Sequence, residues 1–272
     1  MYIYMFLLGA VFGSFANVCI KRIPLGIPLV FKPGSMCLSC KKPIKWHDNI
    51  PVISYFILKG RCRSCGERFS PAYPAVEFIT GLLFAAVYWK FNGQGVTTII
   101  TFLFFVLLMV IISGIDIEHR IIPDILSLML AVAGVAFSPF NPVLDYGLPF
   151  LKGNPVLIRM AVSAAGLVAA GLIYLAIAFM GEKIFRQEAL GGGDIKLIAG
   201  IGAYAGIINV LWVIFLASVL GAVAGIALIA SGIKKRRDTI PYGPYICAAA
   251  ILVMLAQPQL NEMYYLYITG LK

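Results

Sequence analysis

Residues 96–115 read VTTIITFLFFVLLMVIISGI, and Asp116 follows. The run carries no charge, and about 20 apolar residues in a helix span the hydrocarbon core of a bilayer. A helix in a water-soluble domain keeps a polar face toward solvent, and this stretch has no charged one. Comparable apolar runs lie at about 2–20, 75–91, 122–140, 156–181, 195–208, 209–232 and 241–257. The sixth of the eight, 195–208, is short and glycine-rich, which fits a half-span or a re-entrant segment. Composition agrees: 61% of the 272 residues are hydrophobic and only 12% are charged, where a soluble domain has about 25% charged. The expected fold is an all-α polytopic membrane protein with about eight transmembrane helices. The chain divides into a first span at 1–20, a polar loop domain at 21–74, and a transmembrane core at 75–272.

Net charge is +10. In a soluble protein this would point to nucleic acid, but here the basic residues flank apolar runs, so topology and anionic lipid headgroups explain them and no nucleic-acid partner is expected. Alternating the eight runs across a membrane places 18 of the 22 Lys/Arg on one side, ten of them between residues 21 and 68. That side is expected to be the cytoplasm. The first run has no preceding positive charge and is followed by Lys21-Arg22, so it reads as an uncleaved span with its N-terminus outside. Residues 141–155, with three prolines and two glycines, read as an outer loop, and 258–272 as an outer, tyrosine-bearing tail.

The polar loop holds Cys37-x2-Cys40 and Cys62-x2-Cys65. Two such knuckles let four thiolates converge tetrahedrally on one ion, the arrangement of a structural zinc site. A closed shell of four sulfurs leaves no position for substrate, so the metal is expected to be structural. Iron in the same shell is the remaining metal alternative. On the reducing side of the membrane two disulfides are disfavoured. Cys19 and Cys247 sit within or beside apolar runs and read as small buried hydrophobes.

Acidic residues are few. Asp116 closes the third run, and Asp194 opens the sixth within Gly191-Gly192-Gly193-Asp194-Ile195-Lys196. They are 78 positions apart, yet the topology brings both to the cytoplasmic edge. A carboxylate near hydrocarbon faces a cavity or a partner. Two that approach each other share a proton, and then one can activate water while the other polarises a peptide carbonyl. Taken singly, each Asp also fits a helix cap or an interfacial anchor. Asp124, after Pro123, reads as a first-turn carboxylate favoured by the helix dipole.

These residues resemble one family, the bacterial type IV prepilin peptidases within the wider GxGD group of membrane aspartyl proteases. The resemblance runs nearly the length of the chain. Gly13-Ser14-Phe15-Ala16-Asn17-Val18 on to Arg22-Ile23-Pro24 is similar to the family's first span. The four cysteines, Asn49-Ile50-Pro51 and Gly60-Arg61-Cys62-Arg63-Ser64-Cys65-Gly66 are similar to its loop, and Tyr73-Pro74-Ala75-Val76-Glu77 to its entry into the next span. Ile115-Asp116 and Gly191-Gly192-Gly193-Asp194 resemble its two catalytic motifs. Ile240-Pro241-Tyr242-Gly243-Pro244 resembles the opening of its last span.

The resemblance implies a bacterial inner-membrane enzyme that cuts the basic leader from type IV prepilins and type II secretion pseudopilins. It cuts after a glycine at the cytoplasmic face, with Asp116 and Asp194 as the catalytic pair. It also implies a second activity for chains carrying the cysteine loop, methylation of the new N-terminus from S-adenosylmethionine, with Glu77 as the candidate residue. Glu77 equally fits a carboxylate buried in the bundle beside a Lys or Arg. Ser14 and Asn17 fit helix packing or substrate binding, and Asp48 and Glu67 are the acidic residues placed to meet a basic leader. There is no Gly-x-Ser-x-Gly elbow and no glycine-rich dinucleotide fingerprint. The competing expectation is a transporter or channel with intramembrane carboxylates and a zinc knuckle.

Overall fold

A computed structural model describes residues 1–29, 37, 39–146, 153–185, 190–235 and 240–257. The tail 258–272 and the centre of the 141–155 loop lie outside the described residues. The helices are α1 (Tyr2–Arg22), α2 (Ile53–Ile57), α3 (Ala72–Phe91), α4 (Val96–His119), α5 (Asp124–Ala136), α6 (Pro155–Phe185), α7 (Gly192–Ala230) and α8 (Gly243–Leu255). Three short 3-10 turns join them, and no strand occurs among the described residues. In lipid each backbone N–H and C=O must be satisfied within its own segment, and the helix does this.

Five of the described helices, α1, α3, α4, α6 and α7, are long and apolar enough to cross a membrane, while α5 and α8 are apolar but shorter. The eight apolar runs of the sequence therefore occupy seven helices. Runs six and seven are joined in the 39-residue α7, which is kinked at Gly206 with φ 72° and ψ 175°. Only glycine adopts that backbone region readily, and a Cβ there would sit 3.0 Å from Val162 Cγ1. Run six is thus the first arm of a kinked helix. The buried Asn141 Nδ2 donates to Tyr204 O at 2.8 Å, and Ser163 Oγ donates to Ala203 O at 2.8 Å, so side chains serve carbonyls just before the kink. Asn209, just after it, accepts a short hydrogen bond from Gln257.

Chain contacts separate two units, residues 1–95 with 102–111 and residues 96–101 with 112–272. In the first, α1 packs on α3 through Gly9 and Gly13, spaced as the small-xxx-small pattern that lets membrane helices approach closely. A Cβ on Gly13 would lie 2.6 Å from Glu77 Cα. Asn17 Nδ2 donates to Tyr73 O at 3.0 Å, so Asn17 serves packing. In the second unit α6 meets α7 at Gly166 and Gly202, whose backbones leave no room for a side chain on either. Helix ends follow local chemistry. Lys21 and Arg22 fill the last turn of α1, where cations are favoured. Arg120, at φ 56°, ends α4 by returning its N–H to Asp116 O at 2.9 Å.

Candidate active site and metal centre

In the second unit, three helix ends meet. Asp116 sits in the last turn of α4 and is 6% exposed. Gly243 is the first residue of α8, and its N–H, one of the donors every helix start leaves unpaired, donates to Asp116 Oδ2 at 2.9 Å. A Cβ on Gly243 would fall 2.7 Å from that oxygen, so the approach depends on glycine. Asp194 is the third residue of α7, and its carboxylate accepts the N–H of Gly191, the residue that caps this helix. That return bond is the capping-box geometry, made here by an aspartate. Gly193 has Ile122 Cβ 2.9 Å from where its own Cβ would be, so the turn before Asp194 packs directly against the α4–α5 connection.

The two carboxylates are close enough to repel each other. Cys247, one turn into α8 and 2% exposed, lies within reach of the charge of both. Tyr174 of α6, 2% exposed, hydrogen-bonds Tyr242 and feels the charge of Asp194. Lys196 Nζ grips both oxygens of Asp124 at 2.7 and 2.8 Å, tying the start of α7 to the start of α5. Asp124 is thus an ion-pair partner as well as a first-turn carboxylate. Gly243, Tyr174, Tyr242 and Cys247 were not singled out as site residues from sequence. Tyr242 and Gly243 lie in the Ile240–Pro244 motif, while Tyr174 and Cys247 sit in apolar runs that give no signal.

In the first unit, the ligand atoms of Cys37, Cys40, Cys62 and Cys65 all lie within 4.8 Å of one another. Cys37 Sγ and Cys65 Sγ are 3.7 Å apart, and a tetrahedral site with Zn–S bonds of about 2.3 Å needs about 3.8 Å between sulfurs. The two knuckles repeat one backbone design. Cys37 N donates to Lys42 O and Lys41 N to Cys37 O; Cys62 N donates to Glu67 O and Gly66 N to Cys62 O. The residue after each second cysteine has a positive φ, 58° at Lys41 and 74° at Gly66. Backbone N–H groups of Cys40 and Ser39 lower the Cys37 thiol to about 6. Cys65 is pushed up to about 12, although a hydrogen bond from the Glu67 backbone favours its thiolate, because burial and the three neighbouring cysteines oppose it. Four sulfurs this close hold four negative charges only around a cation, so the donor set fits a metal.

Beside the knuckles, Asp48 is 7% exposed at its side chain and holds Arg63 in a two-pronged pair, Nη2 to Oδ1 at 2.6 Å and Nε to Oδ2 at 2.9 Å. The guanidinium holds the Asp48 carboxyl below the usual carboxylate range. This carboxylate is therefore occupied within the loop, which leaves Glu67, exposed, as the free-standing acidic candidate of the pair. Glu77 of α3 accepts the N–H of Val52 at 2.7 Å with the Ser14 hydroxyl beside it. Val52 has φ 62°, an uncommon backbone state for a β-branched residue. No basic side chain pairs with Glu77 among its described hydrogen bonds and ion pairs; its partners are a backbone amide and a hydroxyl.

Residues 7–91 match the family model described as Bacterial Peptidase A24 N-terminal domain, and residues 102–226 match that of the type IV leader peptidase family. The chain belongs to the type IV leader peptidase family. This makes it an enzyme of an aspartic-peptidase family. Three similar proteins carry the name prepilin leader peptidase/N-methyltransferase. One from Xanthomonas campestris is 32% identical over 90% of this chain and 88% of its own. One from Bacillus subtilis is 31% identical over 96% of each. One from Klebsiella pneumoniae is 36% identical over 75% of this chain and 84% of its own. No solved structure matches the chain significantly. Asp116 and Asp194 fall within the second family match, and the four cysteines and Glu77 within the first. Membership in a peptidase family removes the ground for the transporter alternative.

Proposed function

We propose that this enzyme removes the basic leader of type IV prepilins and type II secretion pseudopilins, and then methylates the new N-terminus. The scissile bond follows a glycine and is cut at the cytoplasmic face of the inner membrane. Asp116 and Asp194 are the catalytic pair. The single observation behind this is their convergence where α4 ends and α7 begins, with Asp116 held by the first N–H of α8.

The prepilin's apolar helix lies in the bilayer, so its leader emerges at the membrane edge, the depth assigned to the pair by the charge sorting. The ionised carboxylate of the pair takes a proton from water as the water oxygen attacks the scissile carbonyl carbon. The other carboxyl gives its proton to the carbonyl oxygen. As the tetrahedral adduct collapses, one of its hydroxyls returns a proton to the second carboxylate, the C–N bond breaks, and the leaving amine takes a proton from the carboxyl that removed it from water. No acyl-enzyme forms. Asp116 is oriented by Gly243 and Asp194 by Gly191, so neither has to be immobilised at the moment of reaction.

The four cysteines hold Zn²⁺ as a structural ion that fixes the loop. In the second reaction the methyl carbon of S-adenosylmethionine leaves its sulfonium sulfur for the amine nitrogen, the C–S bond breaking as the N–C bond forms. The amine must first lose a proton to attack as a neutral nucleophile, and Glu77 accepts it. The leader peptidase/N-methyltransferase names of the relatives, and Glu77 fixed by Val52 and Ser14, support this part.

The test is co-expression with a prepilin, followed by intact mass of the pilin. Loss of the leader together with the gain of one methyl group is expected. A panel of prepilins and pseudopilins that all keep their full mass would overturn the proposal.

A further inference from the structure

The polar loop of the first unit carries an apolar face. In α2, Ile53, Phe56 and Ile57 are 52%, 69% and 66% exposed. Their spacing puts them on one side of the helix, and Ser54 between them is buried. Trp46, in the turn before α2, is 81% exposed. The depth of this face follows from its anchor. Val52, the residue that caps α2, donates its N–H to Glu77 Oε2 at 2.7 Å, and the Ser14 hydroxyl bonds the same carboxylate. Both of these side chains belong to helices long and apolar enough to cross a membrane. Glu77 is five residues beyond the start of α3, and Ser14 is seven residues before Lys21, the first charge after the α1 span. At the helical rise per residue these are roughly 8 and 10 Å in from the polar ends of the two helices. The start of α2 is therefore fixed at a level that the bilayer occupies.

We propose that α2 lies in the membrane interface, with Ile53, Phe56 and Ile57 inserted among the acyl chains of the leaflet at which α1 ends and α3 begins. An amphipathic interfacial helix buries its apolar side about 5–10 Å into the boundary between headgroups and acyl chains, which is the depth set by Glu77 and Ser14. The backbone is closed as surroundings poor in water require. The N–H groups of Ile50, Val52, Ile53, Ser54, Leu58, Lys59, Gly60 and Arg61 all donate to acceptors within the protein. Charge selects the occupant. Lys41, Lys42, Lys45, Lys59 and Arg61 are exposed on either side of α2 in sequence. The one acidic residue from 41 to 61, Asp48, is taken by Arg63. Anionic headgroups attract such a flank, and an exposed tryptophan is the side chain that membrane interfaces collect. A basic peptide segment would be repelled by the same lysines. The polar loop is thus held to the bilayer by α2 as well as by the two spans that bound it.

The experiment uses the full chain in nanodiscs of phosphatidylcholine and phosphatidylglycerol. Trp46→Phe, Trp89→Phe and Trp212→Phe remove the native indoles, and Phe56→Trp supplies the only one. Its emission is quenched either by phospholipid carrying a nitroxide at carbon 5 of an acyl chain or by acrylamide in the water. The nitroxide is expected to lower the emission at least twofold, and acrylamide to quench it at least threefold less than it quenches free tryptophan. Acrylamide quenching like that of free tryptophan, with no nitroxide effect, puts α2 in water and overturns the proposal. A second measurement keeps the native tryptophans. It places p-benzoylphenylalanine at Ile57 and photolyses the chain with tritiated phospholipid, alone and with a prepilin added. Label from the lipid is expected in both mixtures. A cross-link to the prepilin, or to a second copy of the chain, at the expense of the lipid overturns lipid as the occupant. Because this variant changes one exposed side chain, failure of the four-substitution chain to fold does not remove the test.

Discussion

Gly243→Ala tests how Asp116 is held. The new Cβ would lie 2.7 Å from Asp116 Oδ2 and 3.2 Å from its Cγ, and ordinary contact begins near 3.4 Å, so the carboxylate must retreat by about 0.7 Å. Retreat breaks the 2.9 Å bond from the Gly243 N–H. A hydrogen bond to a charged group contributes about 1.5–3 kcal/mol, which at about 1.36 kcal/mol per tenfold is roughly 10- to 150-fold in rate. Misplacement of a reacting group by about 1 Å costs about 10²-fold on its own. The expected loss in kcat/KM for leader cleavage is therefore about 10²-fold or more. The backbone at Gly243 is not in the left-handed region, so alanine fits its conformation. The assay is cleavage of a purified prepilin in nanodiscs, with the melting midpoint of the variant measured alongside. A variant that melts like wild type and cleaves within threefold of it would refute the claim that this amide positions Asp116.

Three further outcomes are expected. Wild type should carry about one zinc per chain; Cys37→Ser with Cys62→Ser should lose it by elemental analysis and open residues 37–69 to protease. Gly206→Ala should destabilise the enzyme by about 1–3 kcal/mol, seen as a fall of about 2–4 °C in Tm for each kcal/mol; an unchanged midpoint would show that the kink tolerates a side chain. Arg63→Ala should raise the pH at which Asp48 protonates, read from its carboxylate chemical shift, because the guanidinium that holds the carboxyl down is gone. Because the folded value of Asp48 is depressed, the stability it contributes is present above the unfolded value and lost as pH falls through the folded one, so the variant should lack it at neutral pH and the difference from wild type should shrink as acid protonates Asp48.

Much of this molecule was legible before any coordinates. Twenty uncharged residues at 96–115 have one economical solution in lipid, and the helix α4 covers them. Four cysteines in two CxxC pairs converge because the spacing allows little else, and their sulfurs lie within 4.8 Å of one another. The kink at Gly206 was not legible. The surrounding segment is rich in glycine and alanine, and only the tertiary contacts of Gly206 with Val162 and Leu144, and of neighbouring Tyr204 with Asn141, distinguish one glycine from the rest. The Gly243 amide on Asp116 was hidden for a related reason. A backbone donor has no side-chain signature, and its partner lies 127 residues away. Tyr174 and Cys247 were hidden because tyrosine and cysteine in apolar runs are ordinary packing residues until a buried charge is found beside them. Glu77 is picked out by the resemblance of Tyr73-Pro74-Ala75-Val76-Glu77 to the family's motif, but Val52 as its partner depends on a positive φ that no propensity foretells.

In the mechanism proposed above, Asp116 and Asp194 together hydrolyse the leader peptide bond. Its most direct measurement is the intact mass of a prepilin co-expressed with wild type, Asp116→Asn and Asp194→Asn, each at matched membrane levels. The near-isosteric amides keep shape and remove the acid–base function. Mature pilin is expected with wild type and only full-length prepilin with either variant. Mature pilin produced by either variant at the wild-type rate would contradict it and remove that residue from the reaction.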